Sequence, residues 1–82
     1  MVAKVENISV GLDMLIEDSS IPRNIRGAAE KAKALLADAS EPLDVRKAKA
    51  ISTLDEMSND PNLPLHGRTL MWNIMSQLET LA

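Results

Sequence analysis

The sequence predicts an all-α fold, a single-domain four-helix bundle whose helices run up and down. Apolar residues recur three and four positions apart along the whole chain, and no window shows the alternation typical of a strand. The 82 residues are fewer than the roughly 100–200 of a typical domain, so we expect one unit. Three clusters of Asp, Ser, Asn and Pro separate helices at about residues 2–17, 22–37, 41–58 and 64–81. Such short loops favour antiparallel neighbours.

The first two helices each carry one apolar stripe. Helix 1 stops at Asp18, and the fixed φ of Pro22 suits the first turn of helix 2. Three alanines in the second stripe let a neighbouring helix approach closely, so we expect the tightest contact there. The stripe of helix 1 comprises Val5, Ile8, Leu12, Leu15 and Ile16. The stripe of helix 2 comprises Ile25, Ala28, Ala29, Ala32, Leu35 and Leu36.

The third and fourth helices are predicted from their start signals and stripes. Ser40 is a good N-cap and Glu41 suits the positive end of helix 3, while Pro64 opens helix 4. The apolar residues of helix 3 recur every three positions, so their stripe drifts by about 60° per step and must face more than one neighbour. They are Val45, Ala48, Ile51, Leu54 and Met57. The core stripe of helix 4 is predicted as Leu70, Met71, Ile74, Leu78 and Leu81.

The three joints between helices repeat one pattern, a polar residue, then Pro, then Arg four residues after the Pro. Such a pattern is typical of a helix that begins after a short loop. Arginine near the positive end of a helix is locally disfavoured, so a second interpretation gives the three arginines one task, such as clamping the carbonyl end of the preceding helix or lining an anion site. The joints are Ser20-x-Pro22-x-x-Ile25-Arg26, Ser40-x-Pro42-x-x-Val45-Arg46 and Asn62-x-Pro64-x-x-Gly67-Arg68. The joints recur at spacings of 20 and 22 residues. Two such helices make a hairpin of about 40 residues, the length of a HEAT repeat, so two HEAT-like helical hairpins are the alternative architecture.

Three segments carry a resemblance to a known family. They are residues 21–26 (IPRNIR), 58–66 (SNDPNLPLH) and 68–79 (RTLMWNIMSQLE). From Ile21 onward the chain resembles the archaeal uncharacterised protein family 0147. The resemblance implies a four-helix bundle and no activity, and helix 1 is its least specific part.

Composition excludes several classes of protein. With no cysteine the chain has no disulfide and no Cys-based zinc site. The longest apolar run, residues 34–37, is far below the roughly 20 residues of a membrane span. Polar residues such as Lys4 and Glu6 interrupt any signal-peptide core, so the sequence predicts a cytoplasmic protein.

No arrangement of residues in the sequence points to an enzyme. His66 is the only histidine and has no Asp or Glu three or four positions after it, so we expect an exposed side chain rather than a metal ligand. The serines lie outside any Gly-x-Ser-x-Gly turn, and the three glycines are isolated. The sequence therefore predicts no catalytic residue, no metal site, no cofactor and no small-molecule substrate.

Helix 4 carries more apolar residues than one core can take. Leu65 and Trp72 lie on the side of helix 4 away from the core stripe, and Met75 lies between that side and the stripe. Arg68 lies one turn before Trp72. One hypothesis buries Trp72 inside a central helix 4. The other makes Leu65, Arg68, Trp72 and Met75 a surface that a protein partner or a second copy covers. The leading function is thus a small protein-interaction module that self-associates, for example as a homodimer.

A basic stretch supports an alternative function. Residues 22–50 hold seven basic and four acidic residues, a formal charge of +3, whereas the remainder holds two and eight, a charge of −6. If helices 2 and 3 are antiparallel neighbours, their cations form a patch that could bind nucleic acid. No aromatic residue lies among them for a base to stack on, and a solvated face is the simpler interpretation. The patch comprises Arg23, Lys31, Lys33, Arg46, Lys47 and Lys49.

Overall fold

The computed structural model describes residues 5–81, which form a ring of four helices. They are α1 (Val5–Glu17), α2 (Arg23–Ala37), α3 (Leu43–Ser58) and α4 (Leu65–Thr80). Within these residues each helix packs beside the helices before and after it, α4 closes the ring against α1, and no Cα atoms of diagonal helices come within 8 Å of each other. The up-and-down bundle is confirmed. The HEAT-like alternative is wrong, because stacked hairpins would bring α1 beside α3. The first predicted residues of helix 1, 2–4, lie outside the described residues.

Helices α2, α3 and α4 begin immediately after a proline. Pro22, Pro42 and Pro64 have extended ψ angles of 149°, 151° and 156°. Each proline is therefore the N-cap, and its carbonyl accepts a bond from the arginine amide four residues on, at 3.0–3.1 Å. Helix α3 accordingly starts at Leu43, two residues later than the sequence predicted.

The turns before these helices are held by an aspartate. Asp18 Oδ1 accepts from the amide of Ser20 at 2.9 Å, and Asp60 Oδ1 accepts from that of Asn62 at 2.8 Å. Asp38 does the same for Ser40 at 3.1 Å, and the Ser40 hydroxyl also donates to that carboxylate. The prediction of Ser40 as the N-cap of helix 3 is therefore wrong. The serine belongs to an Asx turn, which competes for its hydrogen bonds.

The core lies along the centre of the ring. The predicted stripes of α1, α2 and α4 supply most of it, although Val5, Ile16, Ala28, Leu35 and Leu70 are only half-buried. In α3 the drifting stripe buries Leu54 alone, and the core residues there are four apart instead of three. The buried apolar side chains in the helices are Ile8, Leu12, Leu15, Ile25, Ala29, Ala32, Leu36, Ala50, Leu54, Met71, Ile74 and Leu78. The alanine-rich α2 makes its most extensive contact with α3.

One end of the bundle is closed by turn residues. Ile21 and Leu63, each just before a helix-starting proline, are 1% and 5% exposed. Both point at Gly67 in the first turn of α4, where an added Cβ would lie 2.6 Å from Ile21 Cδ1 and 2.9 Å from Leu63 Cδ1. Glycine at this position lets the two turns approach α4 closely.

Candidate functional site

The described residues expose four large apolar side chains, two on α4 and two on α1. On α4, Leu65 is 74% exposed and Trp72 is 56% exposed. On α1, Val10 and Met14 are 60% and 57% exposed. A monomeric domain rarely leaves large apolar side chains grouped on a surface unless that surface has a function. These two pairs are the first places to look for a binding site.

The α4 surface, defined as Leu65, Arg68, Trp72 and Met75, faces away from the core. Leu65 and Trp72 are seven residues apart, close to two helical turns, so they lie on one face. Met75 is half-buried and packs against the core at the edge of that face. Of the two hypotheses for Trp72, the structure therefore excludes burial inside the bundle.

Arg68 is the least available member of the α4 surface. Its Nη2 donates to the carbonyl oxygen of Asp60 at 3.3 Å, in the turn that precedes α4. Its Nε is buried, and no partner for it lies among the described residues. The guanidinium is thus drawn toward the α3–α4 turn, and the exposed part of this surface consists of Leu65 and Trp72.

The predicted basic patch divides into engaged and free cations. Lys33 Nζ lies 2.6 Å from Asp13 Oδ1 on α1, and Lys47 Nζ donates to the carbonyl of Leu81 at 3.1 Å. Arg46 donates from Nη1 to the Leu36 carbonyl at 2.8 Å and from Nε to the Glu41 carbonyl at 3.0 Å. Lys33 and Lys47 are thereby directed to opposite neighbours, α1 and the end of α4.

Two of the remaining cations lie together, and the third lies apart. Lys31 on α2 and Lys49 on α3 line one open groove of about 410 Å³, together with Leu35, Ala48, Ser52 and Thr53. Arg23 is exposed at the first residue of α2, about two turns from Lys31. The side chains of the six predicted residues therefore do not all face one surface, and Lys31 and Lys49 share the groove between α2 and α3.

His66 has partners that the sequence did not predict. Its Nε2 lies 3.0 Å from Asp18 Oδ2 and 3.1 Å from Ser20 Oγ, in the α1–α2 turn. A similar bond links α2 to the α3–α4 turn, where Asn24 Nδ2 donates to Asp60 Oδ2 at 2.8 Å. Asn24 and His66 are each two residues after a proline, and the aspartates are each four before one. The repeated joint thus braces the two hairpins reciprocally.

The Asp18, Ser20 and His66 cluster is not a catalytic triad. In a triad the base contacts the serine through one ring nitrogen and the aspartate through the other. Here the same nitrogen, Nε2, faces both groups. An ionised carboxylate can only accept hydrogen bonds, so Nε2 carries the proton and cannot remove one from Ser20. The cluster acts as a surface tie between α4 and the α1–α2 turn.

Hydrogen bonds hold the pKa of Asp18 well below its ordinary value. The hydroxyl of Ser20 contributes most, followed by the Ser20 amide and His66, and together they lower the pKa from 3.8 to about 2. Asp38 and Asp60 have lowered pKa values as well, chiefly through the side chains of Ser40 and Asn24 respectively. Each of the three turns is thereby stabilised by an ionised carboxylate.

The stability of the fold is expected to fall in acid as these carboxylates protonate. A folded pKa of about 2 against 3.8 means that the stabilisation from Asp18 is complete above about pH 4 and is lost as the pH falls toward 2. Asp18→Asn keeps an oxygen acceptor for the turn but cannot titrate. We expect the melting temperature of this variant to fall less steeply than that of the wild type between pH 4 and 2, measured by circular dichroism.

Ser20→Ala is the companion variant for this measurement. It removes the hydroxyl donor that lowers the pKa of Asp18 most, so the folded pKa returns toward 3.8. The acid-dependent loss of stability should therefore be smaller than in the wild type and should be complete at a higher pH. Identical acid profiles for the wild type and Asp18→Asn would contradict the assignment.

Residues 5–81 contain neither a membrane-spanning helix nor a cluster of metal ligands. No helix there is both long and apolar enough to cross a membrane. No three His, Cys, Asp or Glu side chains in that part of the chain group closely enough to hold a metal ion.

The chain matches one protein family over almost its whole length. The uncharacterised protein family UPF0147 matches residues 1–81, which includes the first helix. A UPF0147 protein of Methanocaldococcus jannaschii is 55% identical over 76 residues, covering 92% of this chain and 81% of the relative. One of Methanosarcina acetivorans is 56% identical over 70 residues, covering 85% of this chain and 72% of the relative.

Two crystal structures share the fold. The protein MMP1188, of unknown function, superimposes with a TM-score of 0.91 at 49% identity, covering 95% of this chain and 89% of that one. A protein of the uncharacterised family UPF0147 from Thermoplasma acidophilum gives 0.90 at 45% identity, covering 94% and 91%. These similarities support the four-helix architecture and bring no activity with them.

Several surface features escaped the sequence analysis. The exposed pair Val10 and Met14 was not predicted, although both apolar residues lie outside the core stripe of helix 1. The aspartates of the turns, Asp18, Asp38 and Asp60, were missed although each stands two residues before the repeated polar position. Extending the repeat backwards by two residues would have shown Asp in all three copies.

Proposed function

Since the chain belongs to the archaeal family UPF0147, whose members are uncharacterised, we propose from its own surface that it is a small non-enzymatic protein-interaction module. The module self-associates through the α4 surface, with a homodimer as the simplest product. The observation that carries this proposal is the exposure of Trp72, 56%, beside Leu65, 74%.

An exposed tryptophan on the same helix face as another exposed apolar side chain is well suited to binding. Tryptophan is enriched among the residues that contribute most to the affinity of protein interfaces. Covering apolar surface contributes about 25 cal/mol per Å². Trp72 is the one aromatic side chain of the Phe, Trp and Tyr class in the sequence, so it offers a large apolar area for such a contact. A domain of this size also has a thin core, so association is a common means of adding stability.

Trp72→Ala is expected to weaken self-association by at least about tenfold, because it removes the largest exposed apolar side chain. Light scattering behind size exclusion over a wide concentration range measures this. In the wild type, the emission of Trp72 should shift to longer wavelength on dilution as the indole returns to water.

Asn73→Ala is the matched control for Trp72→Ala. Asn73 is exposed on the same helix but lies outside the α4 surface, so its replacement should leave association unchanged. A wild-type protein whose mass and emission do not depend on concentration would exclude self-association. Trp72→Ala that associates like the wild type would exclude this surface.

Nucleic-acid binding through the basic residues has less support. Three of the six cations are engaged within the bundle, by Asp13, by the carbonyls of Leu36 and Glu41, and by the carbonyl of Leu81. The pair Lys31 and Lys49 is what favours this second candidate. Titration of mixed RNA and DNA at several salt concentrations tests it, because phosphate contacts give an affinity that falls steeply with salt.

A further inference from the structure

The groove between α2 and α3 combines an apolar floor with two cationic rims. Leu35 and Ala48 contribute its apolar side chains, and Lys31 and Lys49 stand on the two helices that border it. Both lysines are exposed, and no carboxylate oxygen among residues 5–81 lies within 4.0 Å of either ammonium. The groove therefore offers an apolar strip between two lysines that form no salt bridge with the described residues, although Lys49 is near enough to Asp38 to lower the pKa of that carboxyl.

The outer face of α1 has the opposite charge. Val10 and Met14 are 60% and 57% exposed and are one turn apart. Glu6 lies one turn before them and Glu17 one turn after, and both are exposed. The spacing of four, four and three residues places all four on one side of α1. We define these four residues, Glu6, Val10, Met14 and Glu17, as the acidic α1 face.

Asp13, the other acidic residue of α1 near this face, does not belong to it. Its carboxylate is paired with Lys33 of α2 at 2.6 Å, on the side of α1 that faces α2. Neither Glu6 nor Glu17 has a cation within 4.0 Å among the described residues. The acidic α1 face thus presents apolar side chains between two carboxylates that form no salt bridge with residues 5–81.

We propose that the groove binds the acidic α1 face of a second copy of this chain. Val10 and Met14 lie against Leu35 and Ala48, while the glutamates approach the ammonium groups of the groove. Opposite charges at the edge of an apolar contact fix its register and raise its rate of formation. This interface is separate from the α4 surface, so it goes beyond the function proposed above.

The two halves of this interface are different surfaces of the bundle. The groove is bordered by α2 and α3, and α1 touches α2 and α4 but not α3 in the described residues. A contact that joins the groove of one copy to the acidic α1 face of another uses a different surface of each copy. The contact is head-to-tail, and it leaves one groove and one acidic α1 face free to bind further copies, giving a ring or an open chain.

Charge reversal tests the head-to-tail contact in a chain whose α4 surface has lost its two exposed apolar side chains. The background carries Leu65→Ser and Trp72→Ser, so any association that remains is independent of that surface. At low ionic strength, where charges act over longer distances, K31E/K49E and E6K/E17K should each weaken association at least about tenfold. The variant with all four reversals should recover association, because it exchanges the charges of the two halves.

The control and the opposing outcomes are equally specific. D55K/E79K changes the net charge as much as E6K/E17K does, at exposed positions outside both halves, and should associate like its background. Circular dichroism confirms that each variant is folded. If the background is monomeric at every concentration, if either reversal alone has no effect, or if the fourfold variant does not recover, the head-to-tail contact is wrong.

The same series separates this contact from the α4 surface. Loss of all association in the background, with K31E/K49E alone associating like the wild type, overturns the head-to-tail contact and supports the α4 surface. Association that survives in the background and is lost on charge reversal has the reverse meaning.

Discussion

Gly67→Val is expected to lower the free energy of unfolding by about 2–3 kcal/mol, through overpacking at one end of the bundle. A Cβ at this position would lie 2.6 Å from Ile21 Cδ1 and 2.9 Å from Leu63 Cδ1. The Ile21 and Leu63 side chains are 1% and 5% exposed, so they have little room to move. The γ carbons of valine extend the clash. Urea unfolding followed by circular dichroism measures the loss.

Gly27→Val is the matched control for this substitution. Gly27 is also inside a helix, but a Cβ there meets nothing within 4 Å and the residue is exposed. Its replacement should leave the stability within about 0.5 kcal/mol of the wild type. Equal losses at the two positions would mean that helix preference decides the effect, and that the close approach of the turns does not.

Arg46→Met is expected to cost about 1.5–3 kcal/mol of stability, the usual value for hydrogen bonds made by a charged donor. Arg46 holds the Leu36 carbonyl, in the last turn of α2, and the Glu41 carbonyl in the turn that follows. Methionine keeps much of the apolar stem but leaves both oxygens without this donor. The loss is measured as a lower urea midpoint at an unchanged slope.

Arg26→Met tests the same position in the first copy of the repeat. The side chain of Arg26 makes no hydrogen bond with the described residues, and its Nε is buried without a partner there. Replacing an unpartnered buried group costs little, so we expect a change of less than about 0.5 kcal/mol. If Arg26→Met is as costly as Arg46→Met, the arginines act through their stems rather than through carbonyl oxygens.

The fold was predictable because its signals are local. Residues such as Ile8, Leu12 and Leu15 follow helical periodicity, and the prolines mark where α2 and α4 begin. The buried residues of α3 were predicted less accurately, because its apolar residues recur every three positions while the core contains Ala50 and Leu54. Burial there depends on two neighbouring helices at once, which a single stripe does not encode.

The site was predictable only in part because it depends on contacts between distant segments. An over-wide apolar arc indicated the surface at Trp72, but only the packing of α4 decided between burial and exposure. The basic residues looked alike in sequence, yet Lys33 meets Asp13 and Lys47 reaches the end of α4. His66 pairs with Asp18 across 48 residues, and no local spacing shows such a pair.

The ring arrangement of the helices determines which helix contact costs the most chain entropy to form during folding. The contacts from α1 to α2, α2 to α3 and α3 to α4 each join consecutive helices through a short turn. Each of these hairpins can form while the rest of the chain is still disordered. Among the pairs of helices in contact, only α1 and α4, which meet along one seam, are far apart in sequence. Chains with mostly local contacts of this kind fold within microseconds to milliseconds, and the seam carries the largest closure cost.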